Sequence, residues 1–133
     1  MTIAEFPTTF LAAEAARERG MVTVMGAPNV VKGGSQSGNL SALDLAEAGL
    51  LDVLASDYVP ISLLAAAFCL TGEDIGLTLP QAVNLASRNA ARAAGLDDRG
   101  EIAAGKRADL IRVRLVDEHP VVRTVYTAGR RVA

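Results

Sequence analysis

Three observations predict an α/β fold for this chain. Alanine-rich stretches with helical spacing alternate with short valine- and leucine-rich stretches of strand length. Gly20, Gly49 and Gly95 stand where three of the helical stretches should stop. An acid, Asp57, directly follows the apolar run Leu50-Leu51-Asp52-Val53-Leu54-Ala55, and α/β enzymes place reactive groups at such strand tips. The chain has 133 residues, an ordinary domain's worth; half are hydrophobic but only 4% are aromatic. Its core must therefore be built from Ala, Leu, Val and Ile.

The elements follow in order. Thr8 and Thr9 can cap a helix over about 10–19, with Gly20 as its stop. Residues 21–25, Met-Val-Thr-Val-Met, read as a buried strand. Residues 26–39 read as a long glycine-rich loop. Ser41 is placed to cap the next helix, with Asp44 at the capping-box spacing. That helix ends at Gly49, and a strand over 52–55 delivers Asp57. Together these make a βαβ crossover unit with its loops at the strand C-termini, and the count of clear parallel strands is two. Pro60 opens a helix running to residue 70, and Pro80 sits in the first turn of another over 80–86. Ser87 or Asn89 caps a short third helix that stops at Gly95. After that the texture changes: 111–116 and 121–127 read as strands, and Ala128-Gly129 as a turn between edge strands. A boundary near residue 97 divides the chain into 1–96 and 97–133.

Composition narrows the function classes. The net charge of −2 points to neither nucleic acid nor an anionic membrane. Arg123, Arg130 and Arg131 read as the solvated face of a terminal strand. The single cysteine, Cys69, lies in an apolar helical stretch, reads as a buried small hydrophobe and suits a cytoplasmic protein. The first residues contain Glu5 and Pro7 and lack the apolar core of a signal peptide. No apolar run approaches the ~20 residues of a membrane helix.

Two segments carry more specific signals. Gly100-Glu101-Ile102-Ala103-Ala104-Gly105-Lys106-Arg107-Ala108-Asp109-Leu110-Ile111 resembles the closing β-sandwich segment of the amidohydrolase superfamily. Gly49 to Pro60, with Asp57 inside it, resembles that superfamily's last barrel strand. With Glu5-Phe6-Pro7-Thr8-Thr9 and the 26–39 loop, the resemblance covers essentially the whole chain. It is nearest to a branch acting in phosphonate catabolism, in the carbon–phosphorus lyase pathway, that releases diphosphate from a ribose 5-triphosphate. The resemblance implies the C-terminal third of such an enzyme: the last strands and helices of a TIM barrel over 1–96 and a composite β-sandwich segment over 97–133. A whole barrel takes roughly 250 residues, so a fragment, a split subunit or a pseudoenzyme is expected.

The same resemblance implies a hydrolase that uses a divalent metal of the zinc, iron or manganese class, with a phosphorylated small molecule as substrate. Asp57 would be both catalytic residue and metal ligand, accepting the proton of the attacking water; on the residues alone, a turn-capping Asp before Pro60 is an equal reading. Glu5 could add a second carboxylate, or simply precede a helix. In the 26–39 loop, Lys32 offers charge, Gly33 and Gly34 offer backbone N–H groups, and Ser35, Ser37 and Asn39 offer polar side chains, a set suited to phosphate. Taken alone, such a loop also suits a mobile linker. The lysine precedes the glycines, so this is not a P-loop. Gln36 stands where the resemblance implies histidine, and glutamine neither titrates near neutrality nor makes a good metal ligand. His119, the single histidine, reads as a solvent-facing turn residue, and Asp109 as a turn-holding one. One strong ligand does not hold a metal tightly. The chain alone is therefore expected to be inactive and metal-free, completed by an N-terminal complementing chain or through a homo-oligomer. The alternative from another class is a non-catalytic phosphate-binding α/β module or pseudoenzyme remnant.

Overall fold

The computed structural model describes residues 2–33 and 40–133. Among the described residues twelve elements follow one another: β1 (Ile3–Glu5), α1 (Phe10–Glu18), β2 (Val22–Gly26), α2 (Ala27–Val31), α3 (Ala42–Glu47), β3 (Val53–Ala55), α4 (Ser62–Cys69), α5 (Leu79–Ala86), α6 (Arg88–Ala93), β4 (Leu110–Val116), β5 (His119–Thr127) and β6 (Arg130–Arg131). They form two sheets. β1, β2 and β3 lie side by side in that order, all parallel, with Glu5 opposite Val24 and Gly26 opposite Ala55. β4, β5 and β6 form an antiparallel sheet with an irregularity between Arg112 and Val113. The α/β class expected from sequence is therefore present, but the parallel unit has three strands rather than two. The third is the short Ile3–Glu5 stretch, too brief to give a period-2 signal.

The local rules explain most boundaries. The Thr9 hydroxyl accepts from the Ala12 N–H at 3.2 Å, which starts α1. Ser41 and Asp44 form a reciprocal capping box at the start of α3. The Ser41 hydroxyl and backbone N–H hold the Asp44 carboxyl below its ordinary range. Thr78 and Gln81 make a second capping box, and Pro80 occupies the first turn of α5. Ser87 stands at the start of α6, but its hydroxyl donates back to the Val83 carbonyl instead of capping.

Three further expectations need correction. Residues 27–31 are helical, not loop: Pro28 fits a helix's first turn because its missing N–H would be unpaired there. Cys69 is exposed, because it lies on the face of α4 turned away from the core. His119 begins β5 rather than sitting in the turn before it, although it is solvent-facing as expected.

The core lies between the parallel sheet and its helices. Leu45 and Leu70 are fully enclosed, and Met25, Val30 and Leu54 join them. Ala13, Ala27, Ala42, Ala66 and Ala82 are also sealed off, and such short side chains let the helices approach closely. Burying a leucine such as Leu45 stabilises the fold by about 1.5–3 kcal/mol. β2 and β3 are buried along most of their length, as parallel strands covered on both faces must be.

The base of this sheet is bolted by polar groups. Thr23, fully buried, donates through its backbone N–H to Asp52 Oδ2 at 2.9 Å, and its hydroxyl lies against the Leu50 carbonyl. Asp52 also pairs with Arg17 at 3.0 Å, while Arg17 reaches the Gly49 carbonyl at 2.6 Å. Asn89 donates to the Asp52 carbonyl at 2.9 Å, tying α6 to the same corner.

Candidate functional site

The opposite end of the parallel sheet gathers the candidate residues. β1 ends at Glu5, β2 at Gly26 and β3 at Ala55, and parallel pairing brings these three tips to one rim. Two of the three chain exits turn sharply. Phe6 has φ 52° and Asp57 has φ 51°, both in the left-handed region that costs an ordinary residue about 1–2 kcal/mol. Aspartate tolerates this better than most, since its short polar side chain suits that region.

The turn aims Asp57 across the rim. Its carboxylate lies over the backbone of Gly26: a β-carbon at position 26 would stand 2.8 Å from Asp57 Oδ2 and 3.3 Å from both Asp57 Cβ and Phe6 Cε1. Only a glycine leaves that space. The turn after Asp57 is closed by other groups, with Val59 N–H donating to the Ser56 carbonyl at 3.2 Å and the Ser62 hydroxyl to the Val59 carbonyl at 2.6 Å. The Asp57 carboxylate is exposed rather than spent on the turn. Among the described residues, no hydrogen bond ties the Asp57 carboxylate to the turn before Pro60.

Lys32, one residue past α2, comes to the same rim. Its Nζ donates to the Tyr58 hydroxyl at 2.9 Å and lies 5.3 Å from the centre of that ring. Lys32 and Asp57, 25 positions apart in sequence, are thus joined through the residue next to Asp57. Gly33 takes φ 75° with open space around it. Gly34, Ser35, Ser37 and Asn39, together with Gln36, lie outside the described residues. Glu5 is exposed at the tip of β1.

Other predicted positions fall elsewhere. His119 belongs to the antiparallel sheet, where its Nδ1 lies 2.8 Å from the Asp117 carbonyl. Asp109 holds the β5–β6 turn by accepting from the Ala128 N–H at 2.8 Å. That bond first, then Arg107 at 2.8 Å and Arg99 at 3.9 Å, keeps its carboxyl below the usual range. An apolar concavity of about 820 Å³ opens between α4, α5 and β5, with Ile61, Leu64, Val83 and Val122 in its wall. Asp57 stands outside it. Sequence reading missed the Thr23–Asp52 bolt and the Tyr58 contact, both of which join distant segments and leave no local pattern.

Metal chemistry asks for converging donors, typically three or four. Among the described residues, no three His, Cys, Asp or Glu side chains come together in that way. These residues alone do not fit a resident metal ion. Nor is any helix among them long and apolar enough to cross a membrane.

Comparison with known proteins gives this geometry its family. The chain is 55% identical over 131 residues to the α-D-ribose 1-methylphosphonate 5-triphosphate diphosphatase of Escherichia coli (strain K12), a match covering 98% of this chain and 35% of that protein. It is 42% identical over 65 residues to the imidazolonepropionase of Deinococcus deserti, covering 43% of this chain and 16% of the relative. The chain thus spans about a third or less of the length of the curated relatives it matches. Among solved structures, an amidohydrolase from Thermotoga maritima MSB8 superposes with a TM-score of 0.60 at 21% identity, over 98% of this chain and 43% of that one, a likeness of fold. The amidohydrolase family profile matches residues 10–133, and the chain belongs to that family.

Proposed function

We propose that this chain supplies one corner of a hydrolytic centre that splits α-D-ribose 1-methylphosphonate 5-triphosphate into the 5-phosphate and diphosphate, in phosphonate catabolism. Residues 1–96 correspond to the last strands and helices of a TIM barrel, and residues 97–133 to its β-sandwich segment. The observation that carries the reading is Asp57, exposed at the tip of β3 and aimed over Gly26, in a chain 55% identical to a diphosphatase of that name.

Asp57 is the proton acceptor. Water adds to phosphorus, its proton passes to the Asp57 carboxylate, the bridge between the first and second phosphates breaks, and the proton returns to the leaving diphosphate. Lys32 faces the negative charge of the phosphates. Gly33 and Gly34 offer N–H groups, and Ser35, Ser37 and Asn39 offer polar side chains, to the same anion. Amidohydrolases are generally metal-dependent, and a divalent metal would polarise the phosphoryl oxygens and acidify the water. Asp57, with Glu5 as a second carboxylate, would be this chain's share of its ligands. The remaining donors come from a complementing N-terminal segment.

A hybrid enzyme tests this. Replacing the matching third of the E. coli relative with this chain should restore diphosphate release, and Asp57→Asn in the hybrid should cut kcat at least about 100-fold, as loss of a proton acceptor does. An Asp57→Asn hybrid as active as its parent would remove Asp57 from the chemistry. A folded parent hybrid with no turnover would overturn the substrate. The chain on its own should release no diphosphate and hold no metal through dialysis; turnover by the lone chain would refute the shared centre.

A further inference from the structure

We infer that Tyr58 is a positioning residue: it fixes the Lys32 ammonium at the rim of the parallel sheet, beside Asp57, as the cation that receives a polyphosphate. This rests on the phosphate role proposed for Lys32 and extends it to a residue on another element.

A lysine just past a helix end sweeps a wide volume, so its charge is spread over many positions. Here it is held. Tyr58 accepts one of the three ammonium protons at 2.9 Å, and the ring lies 5.3 Å away on the same side. Among the described residues, Tyr58 is the one hydrogen-bond partner recorded for that ammonium, which carries three donor protons. None of the ion pairs among the described residues involves Lys32, whereas Lys106, the chain's other lysine, pairs with Glu101 at 3.5 Å. A neutral phenol suits this task. It orients the ammonium without cancelling its charge, which a carboxylate in its place would do. Tyr58 remains 61% exposed, so the contact is not a product of core packing. Its backbone position is set by the left-handed turn at Asp57, so one turn aims the carboxylate at Gly26 and the phenol at Lys32.

With only two lysines, side-chain NMR reads Lys32 directly. Carbon–proton spectra of the labelled chain, with Lys106→Arg for assignment, would be followed during titration with inorganic triphosphate. The Lys32 signals should move and those of Lys106 should not. Tyr58→Phe removes only a hydroxyl from an exposed side chain, and should weaken the apparent affinity about three- to tenfold, the effect of one lost hydrogen bond. Its unfolding temperature should stay unchanged, which separates positioning from a structural role. Equal affinity in Tyr58→Phe and the parent, with Lys32 still responding, overturns the role of Tyr58 and leaves that of Lys32 standing. A silent Lys32 in the parent chain overturns both.

Discussion

Asp57, two residues beyond Ala55, the register partner of Gly26, reaches back over that glycine: its carboxylate occupies the space that a side chain at position 26 would need, with 2.8 Å between Oδ2 and the position of the missing β-carbon. The reach of an acid from one strand tip is therefore set by the lack of a side chain on the next.

Gly26→Ala should displace Asp57. Gly26 has φ −75°, which alanine adopts freely, so the backbone carries no penalty. The cost is steric, but the closest atom is the end of the exposed Asp57 side chain, which can turn away, so stability should fall by only about 0.5 kcal/mol. Urea denaturation would measure it, and the hybrid enzyme should lose kcat as well.

Asp57→Asn should leave stability within about 0.5 kcal/mol, as for other exposed substitutions. Asparagine accepts the φ of 51° as readily as aspartate does. Thermal unfolding of the variant checks this. A large loss of stability would mark Asp57 as a structural residue.

Thr23→Val keeps shape but deletes the hydroxyl that lies against the Leu50 carbonyl and accepts from the Asp52 N–H at 3.2 Å. The Leu50 carbonyl would lose that partner, while the Asp52 N–H keeps the Thr23 carbonyl at 3.3 Å, so the cost should be about 1 kcal/mol. The denaturant midpoint should fall while the slope of the transition stays the same.

Two tail glycines should separate strain from crowding. Gly105, at φ 82° with nothing within 4 Å, should lose only about 1–2 kcal/mol as alanine. Gly100 has φ 92°, and a β-carbon there would come within 2.7 Å of Ala91 Cβ and 3.0 Å of the Ser87 carbonyl. Gly100→Ala should be clearly worse and free the connection to the antiparallel sheet, seen as faster limited proteolysis between residues 94 and 110.

Acid should loosen the β5–β6 turn. The Asp109 carboxyl is depressed in the folded chain, chiefly by the Ala128 N–H. Its contribution is complete above the ordinary aspartate value of about 3.9 and is lost as pH falls through the lower folded value. The Ala128 amide shift should therefore move only in that acid range, and Asp109→Asn should abolish the movement.

Much of this was legible in the sequence because its causes are local. Thr9, the Ser41–Asp44 box, Pro80 and the stops at Gly20, Gly49 and Gly95 act within one helical turn, and the helices lie where those residues put them. Asp57 was legible as an acid after a strand. The helix over Ala27–Val31 was hidden by neighbouring glycines and by a proline that breaks helices everywhere except their first turn. Cys69 misled because an apolar helix does not say which of its faces is covered. The Lys32–Tyr58 contact and the Thr23–Asp52 bolt span 26 and 29 positions, so only the folded chain brings them together.

Thr23 and Gly26 stand at opposite ends of β2, three residues and about 10 Å apart. One end is clamped by Asp52, Arg17 and Asn89, and the other is bare peptide beneath a carboxylate. The strand is thereby anchored at one end and carries the proposed proton acceptor over the other. A laboratory evolving this scaffold for heat tolerance can work at the clamped end and leave the placement of Asp57 undisturbed.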